Sequence, residues 1–485
     1  MMDTATAAGA VGGLVIGGSV PFQRVTTDTR ALVPGDLFVA LRGERFDGHD
    51  FVAKAREAGA AAALVARDRA DALSGNLIAV DDPLRSLGAL AAFWRNRFDI
   101  PVVAVTGSNG KTTTKEMIAS IFRAAVGADG VAATPGNFNN AIGLPLAVLG
   151  IRAGQRLAVF ELGMNHRGET RELAVIAQPT IAVITNAQRE HQEFMRNVDE
   201  VANEHADVIR ALRHPGTAIL NADDPRVATW RDTADASGSD VLTFGIDAPA
   251  DFAGRHAVAG EDTALELESK AGNANVRLHI PGRHMAQNAL AAAAAAYAAK
   301  VPLSAIVSGL EDFRPVRGRL VSTKTASGAT VIDDSYNANP DSVRAAIDVL
   351  ASRARPRWLV LGDMGEVGGD GPSFHREIGA YARDAGVDRL WVAGPLAREA
   401  ADAFGTDAAH FDSVEALVML VAAEIRPGIS VLIKGSRFMR MERVVEALTH
   451  ERAGPLPSAN CAPSGGSAAA EPQAWGPDER SGEAH

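Results

Sequence analysis

The 485-residue sequence has a single cysteine, Cys461. No disulfide can form within the chain, which suits a reducing compartment. Net positive charge is also missing. Its 48 lysines and arginines against 59 acidic residues leave a formal charge of −11. That excludes a broadly basic surface for nonspecific nucleic-acid binding and leaves only local basic sites open. No hydrophobic run is long and continuous enough to span a bilayer. The nearest, residues 4–23 (TATAAGAVGGLVIGGSVPFQ), is broken by glycines and a proline and has no basic cluster before it, so it reads as neither a membrane span nor a signal peptide. It reads as a mobile terminus leading into a first strand, and the cytoplasm is the expected location. No internal repeat of about 20–50 residues is found. What remains is globular, with 47% hydrophobic and 22% charged residues, and the length suits about two to four domains.

Composition divides the chain into residues 1–97, 98–313, 314–450 and 451–485. The first segment mixes short apolar runs with turn clusters such as VPGD and RFDGHD. The second alternates apolar runs with helical patterns and ends in the alanine-rich AQNALAAAAAAYAAKV, a strong helix former. The third alternates again. The last is a Pro/Gly/Ser/Ala tail with too few large apolar residues to build a core, so it reads as disordered, and Cys461 within it is not a catalytic thiol.

Both alternating segments show apolar runs that stop abruptly at polar or glycine-rich loops. In the second they are IPVVAVTG before SNGKT, LAVFE before LGMN, and TIAVIT before NAQREH. In the third they are ATVID before DSYNAN, WLVLG before DMGE, and SVLIKG before SR. Continuous β-branched runs between helical patterns indicate buried, mainly parallel strands, hence an α/β fold. Ligands of such sheets sit at the carboxyl ends of the strands. Six chemically unusual loops at those ends suggest two domains facing one site.

The sharpest motif is TGSNGKTTT, residues 106–114. The strict phosphate-loop pattern places a glycine where this chain has Val105, so the motif is a shortened G-x-x-G-K-T. Its physics is intact. A strand runs in and a helix runs out. Gly107 and Gly110 allow close backbone approach, and the N–H groups of Ser108, Asn109 and Thr113 face an anion at a helix N-terminus. Lys111 can bridge phosphate oxygens, and the Thr112 hydroxyl can hold Mg²⁺. Glu161 ends a neighbouring strand, where a nucleotide-bound Mg²⁺ needs an oxygen ligand. His191 lies just past a third strand end and is a candidate ligand through its placement.

Together these residues resemble the Mur ligases, ATP-dependent amide-forming enzymes of peptidoglycan synthesis. The resemblance runs from about residue 25 to 448 through TTDTRALVPGDLFVALRGERFDGHDF, TGSNGKTTTKEM, TPGNFNNAIGLPL, FELGMNHRGE, PGRHMAQNALAAAA, RPVRGRL, IDDSYNANPDSV, LGDMGEVG and IKGSRFMRME. DDSYNANPDS, LGDMGE and KGSR are the segments most similar to the dipeptide-adding branch. The tripeptide-forming branch would show D-N-P-R in the last domain, and that is missing.

The resemblance implies a three-domain architecture: an N-terminal UDP-sugar domain, a central P-loop ATPase-like parallel sheet and a C-terminal Rossmann-like domain. It implies a monomer using ATP and Mg²⁺ to join UDP-N-acetylmuramoyl-tripeptide to D-Ala-D-Ala through an acyl phosphate. It assigns Thr29, Arg30, Gly48 and His49 to the nucleotide-sugar, and Asn137, Asn139 and Asn140 to a loop near that substrate and the metal. Asn288, Asp334, Tyr336 and Asn337 are assigned to adenosine, and Arg319 to the ATP phosphates. Lys434, Ser436 and Arg437 are assigned to the dipeptide carboxylate. Lys111, Glu161, His191 and Arg319 are then the expected catalytic set, with Thr112, Glu161 and His191 as metal ligands.

One position departs from the family. A lysine after the metal-binding histidine is often carbamylated there, and the spacing from His191 leads here to His205. No lysine lies between Lys115 and Lys270, so no carbamate can form. Imidazole is a poor ligand for Mg²⁺, so Glu204 or a water is expected to take over, or a second metal is held more weakly. Activity without dependence on bicarbonate is the expectation. Two other functions fit parts of the sequence. One is an amide ligase for a different amino acid and acceptor, which a substrate panel separates. The other is a noncatalytic ATP-binding regulator, which would show no substrate-stimulated phosphate release.

Overall fold

A computed structural model describes residues 1–43 and 45–449; the tail from 451, including Cys461, lies outside the described residues. The chain forms two compact units. One comprises Met1–Val316 with Glu366–Asp370, the other Arg317–Gly365 with Gly371 onward. No helix among the described residues is long and apolar enough to cross a membrane.

The first unit carries two large sheets. A five-stranded sheet has Arg24–Thr26, Asp36–Val39, Ala62–Ala66 and Leu77–Val80 in parallel, with Leu14–Ile16 antiparallel at one edge. The start of the chain is folded, not the mobile segment its glycines suggest. Asp3 accepts from Thr6 N at 2.7 Å and caps the helix Thr4–Val11, and Met2–Asp3 pairs with Pro21–Phe22. Ala7 and Ala8 of that helix are buried, so its small side chains allow close packing. The helix Pro83–Arg95 begins with strong signals: Pro83 at its start and an Asp82 carboxylate accepting from Leu84 N and Arg85 N.

The nine-stranded sheet follows. Val102–Thr106 lies at its centre, parallel to Leu157–Glu161 on one side and Ile181–Ile184 on the other. All three strands are fully buried, as their unbroken apolar runs require. The alanine-rich segment forms the helix Arg283–Ala298, with Ala289 and Ala291 through Ala296 at zero exposure. Residues 1–97 and 98–313 differ in composition, yet one hydrophobic core joins them. It includes Met2, Leu87, Leu90 and Trp94 from the first stretch and Val102, Leu144, Leu173, Ile184 and Trp230 from the second.

The second unit is a six-stranded sheet in the order Val321–Lys324, Thr330–Asp334, Ser430–Lys434, Arg357–Gly362, Arg389–Ala393, Ala408–Phe411. Only the first pairing is antiparallel. All six strands read from abrupt apolar runs are present, each ending at the polar loop that marked it.

Candidate nucleotide site and its surroundings

The central strand ends at Thr106, and the helix Lys111–Val126 starts after a turn whose two glycines are sterically required. Gly107 has φ +127°, and a Cβ there would lie 2.1 Å from Thr185 Oγ1. Gly110 has φ +85°, and a Cβ would lie 2.4 Å from Asn288 Oδ1. Asn288 is buried and packs under the turn. Ser108 and Asn109 are braced from behind by the loop after Ile184. Ser108 N donates to Asn186 O, Asn109 N donates to Asn186 Oδ1, and Thr185 Oγ1 donates to Asn109 O at 2.7 Å, so the Ser108 and Asn109 N–H groups, expected to face an anion, are instead spent on the neighbouring loop. The helix has no side-chain cap at Gly110, which keeps its positive end available to an anion. Thr113 is buried beneath the turn.

Lys111 folds back over the turn. Its Nζ donates to Gly107 O at 2.5 Å and Ser108 O at 3.2 Å and lies 3.4 Å from Glu190 Oε2. Thr112 Oγ1 donates to Glu161 Oε1 at 3.1 Å, and Asn139 Nδ2 donates to the same oxygen at 2.8 Å. Glu161 Oε2 is buried with no hydrogen-bond partner. A buried carboxylate oxygen lacking a partner, beside a hydroxyl at a phosphate turn, is a hard-oxygen donor set that fits Mg²⁺. Asn140 Oδ1 instead accepts from Ile142 N and Gly143 N where the chain enters the next helix. Asn137 is exposed.

His191, the third expected metal ligand, sits at φ +50°. Its Nε2 is 3.7 Å from Glu190 Oε2, and its Nδ1 is 2.6 Å from Glu366 Oε2. Burial opposes its protonation, but Glu366 and Glu190 outweigh burial and raise its pKa. Among the described residues no group of three or more His, Cys, Asp or Glu side chains converges as a metal cage. Thr112 and Glu161 are brought together, whereas His191 faces carboxylates. Glu204, expected as a substitute ligand, is engaged elsewhere. Its carboxylate accepts from Gly168 N and Thr170 N, both at 2.9 Å, at the start of the helix Glu169–Ala177.

Two further residues near this site are not singled out by the motifs. Glu190 is ionised well below the usual carboxylate range. Burial works against this, and Lys111, His205 and His191 together overcome it. Lys115 has no exposed surface; its Nζ donates to Glu116 Oε1 and to Thr134 O at 3.0 Å, while Thr134 Oγ1 accepts from Glu161 N. Its one signal in the sequence is the spacing from Lys111, one helical turn away on the same face.

The expected nucleotide-sugar residues divide. Thr29 is half-buried and Arg30 exposed, the latter paired with Asp28 at 2.6 Å. His49 turns inward. Its Nε2 accepts from Ala66 N at 2.8 Å and its Nδ1 meets Asp47, so the ring braces its own sheet and presents no face to a ligand. Gly48 is required by backbone approach, since a Cβ would lie 2.6 Å from Leu41 O.

In the second unit, Asp334 and Lys434 end adjacent strands in register. Lys434 Nζ donates to Asp334 Oδ2 at 2.6 Å and to Asn337 O at 2.9 Å, and is nearly fully buried. Burial pushes the Asp334 carboxyl up, with Lys434 pulling against it. Ser436 Oγ donates to Ala338 O and accepts from Gly365 N. Lys434 and Ser436 therefore fasten the strand-end loops and offer no open face to a dipeptide. Three other side chains stay grouped: the Arg319 guanidinium lies 4.2 Å from the Tyr336 ring centre and that of Arg437 5.8 Å.

The chain matches three family descriptions in succession: the Mur ligase family catalytic domain over residues 21–95, the Mur ligase middle domain over 105–296, and the Mur ligase glutamate ligase domain over 317–437. It is 39% identical over 437 residues to the UDP-N-acetylmuramoyl-tripeptide–D-alanyl-D-alanine ligase of Escherichia coli K12, covering 89% of this chain and 95% of that one. A crystal structure of MurF from Acinetobacter baumannii superposes with TM-score 0.84 at 32% identity, covering 92% and 98%. MurF from Thermotoga maritima, crystallised with ADP, superposes with TM-score 0.77 at 27% identity, covering 88% and 97%.

Proposed function

This chain belongs to the Mur ligase family, and from that premise we propose that it is the ATP-dependent ligase joining D-Ala-D-Ala to UDP-N-acetylmuramoyl-tripeptide in peptidoglycan precursor synthesis. The observation that carries the site assignment is the partnerless Glu161 Oε2 beside the Thr112 hydroxyl, at the foot of the Lys111 turn.

The chemistry balances in two steps. A carboxylate oxygen of the tripeptide attacks the γ-phosphorus of ATP, ADP leaves, and an acyl phosphate forms. The amine of D-Ala-D-Ala then attacks the acyl carbon, phosphate leaves, and the amine proton is released. Charge spreads over the phosphoryl oxygens in the first step, so fixed positive groups decide the rate. Lys111 meets those oxygens by leaving the Gly107 and Ser108 carbonyls, and the uncapped N-terminus of the helix Lys111–Val126 faces the phosphates. Thr112 and Glu161 would hold Mg²⁺, which when bound neutralises phosphate charge. Arg319 is proposed for the phosphates and Tyr336 for adenosine. Thr29 and Arg30 are proposed for the nucleotide-sugar. The proposed setting is the cytoplasm, where ATP and UDP-sugars are made.

The test is phosphate release with ATP and the UDP-linked tripeptide while the amine substrate is varied. Release stimulated by D-Ala-D-Ala, and not by glutamate or a diamino acid, is expected. Stimulation by one of those instead, or ATP binding without stimulated release, would overturn the assignment.

A further inference from the structure

A buried polar chain runs behind the phosphate turn. Thr106 Oγ1 lies 3.1 Å from His205 Nδ1; His205 Nε2 lies 3.0 Å from Glu190 Oε1; Glu190 Oε2 lies 3.4 Å from Lys111 Nζ. His205 has no exposed surface and Glu190 only 6%. An ionised Glu190 can only accept, so Nε2 donates to it, and in the neutral ring Nδ1 accepts from the Thr106 hydroxyl. Both ring nitrogens are then occupied, and the ring is locked between a sheet residue and a carboxylate.

The contact at the far end is long for a charged pair. Glu190 stands 3.4 Å from the ammonium, while Gly107 O is at 2.5 Å. A carboxylate free to rotate beside a lysine would close to the shorter distance usual for such pairs and compete with phosphate for it. One anchored through its other oxygen cannot close fully. We propose that His205 is a positioning residue: it tethers Glu190 so that Lys111 is held at the mouth of the turn and still released to the ATP phosphates. The inference rests on the reading of Lys111 as the phosphate-binding lysine.

The test compares His205→Leu, which fills space without polar atoms, with His205→Gln, whose amide can donate to Glu190 and accept from Thr106. Both are repeated in a Glu190→Gln background. The readouts are KM for each of the three substrates and the Kd for ATP by calorimetry; neither changes with the fraction of enzyme that is folded once active sites are counted. In H205L, KM and Kd for ATP should rise about 10-fold, within the range for lost supporting contacts, while KM for the other two substrates stays unchanged. H205Q should recover most of the ATP affinity, and the H205L effect should vanish when Glu190 is already Gln. Should H205L not fold, Thr106→Val loosens the same chain from its other end and should weaken ATP in the same direction. Equal losses in H205L and H205Q, a parallel rise in all three KM values, or a loss that persists in the Glu190→Gln background would overturn the proposal. The calorimetric reading separates failure of this tether from failure of the ligase assignment, because it needs no turnover.

Discussion

Lys111 is held over the phosphate turn by two carbonyls and Glu190, all of which it can exchange for phosphate oxygens. Lys111→Met should lower phosphate release by about 10²–10³ or more and leave the far-ultraviolet spectrum of the folded chain unchanged. Near-normal release would end the site assignment. Position 205 carries a second prediction. With histidine there and no lysine between Lys115 and Lys270, added bicarbonate should not raise the rate, and intact mass analysis should find no carbamate in that stretch. At this scale the sequence is informative where backbone geometry demands glycine, as at Gly107 and Gly110, or where a carboxylate ends a buried strand, as at Glu161. It is less so where a motif names a position without showing which way the side chain turns. His49, Lys434 and Ser436 all lie in motif segments, yet each is buried on an internal partner. Glu190 does not stand out beside His191, because an acidic residue in a polar loop is ordinary until a lysine from another segment is brought to it.

Strands ending in polar loops are the legible elements, since an unbroken β-branched run has few alternatives to a buried parallel strand. The first helix is not legible, because alanine and glycine supply little periodic contrast and its cap, Asp3, looks like any acidic residue near a terminus. Helix ends also carry a stability prediction. Arg95, fully buried, donates from Nε to Ala177 O, from Nη1 to Phe98 O at 2.5 Å, and from Nη2 to Ile100 O and Gln178 O at 3.3 Å. Burial lowers its pKa to about 10, with nearby Arg213 adding to the shift, so it stays charged at neutral pH. It thus joins the ends of the helices Pro83–Arg95 and Glu169–Ala177 to the segment between. Arg95→Met should leave carbonyls without donors and cost about 3 kcal/mol or more, read as a shift in the urea midpoint of the first unit.

For the molecule as a whole, the two units need not unfold together, and acid should distinguish them. In the second unit, His375 is fully buried; its Nε2 accepts from Met364 N at 3.0 Å and its Nδ1 donates to Gly371 O at 2.7 Å. Burial chiefly lowers its pKa below the ordinary 6.5, the Gly371 carbonyl opposing. Below that value the unfolded chain binds a proton that the folded one resists, so this stabilisation is complete above 6.5 and declines as the pH falls through and below it. The protection factor of the Met364 amide, measured against its intrinsic exchange rate at each pH, should fall on acidification, and His375→Gln should flatten that fall. The compositional segments of the sequence are readable, but the cohesion of the first two is not, because shared packing leaves no local mark in either segment. Trp94 illustrates it: its indole donates to Ile151 O at 3.0 Å, across the apparent boundary at residue 97. A chimera cut at that boundary would therefore strand half of a jointly built interior. Exchanging the leading hundred residues for those of a relative should yield a sound protein only if the helices beneath them are transplanted in the same piece.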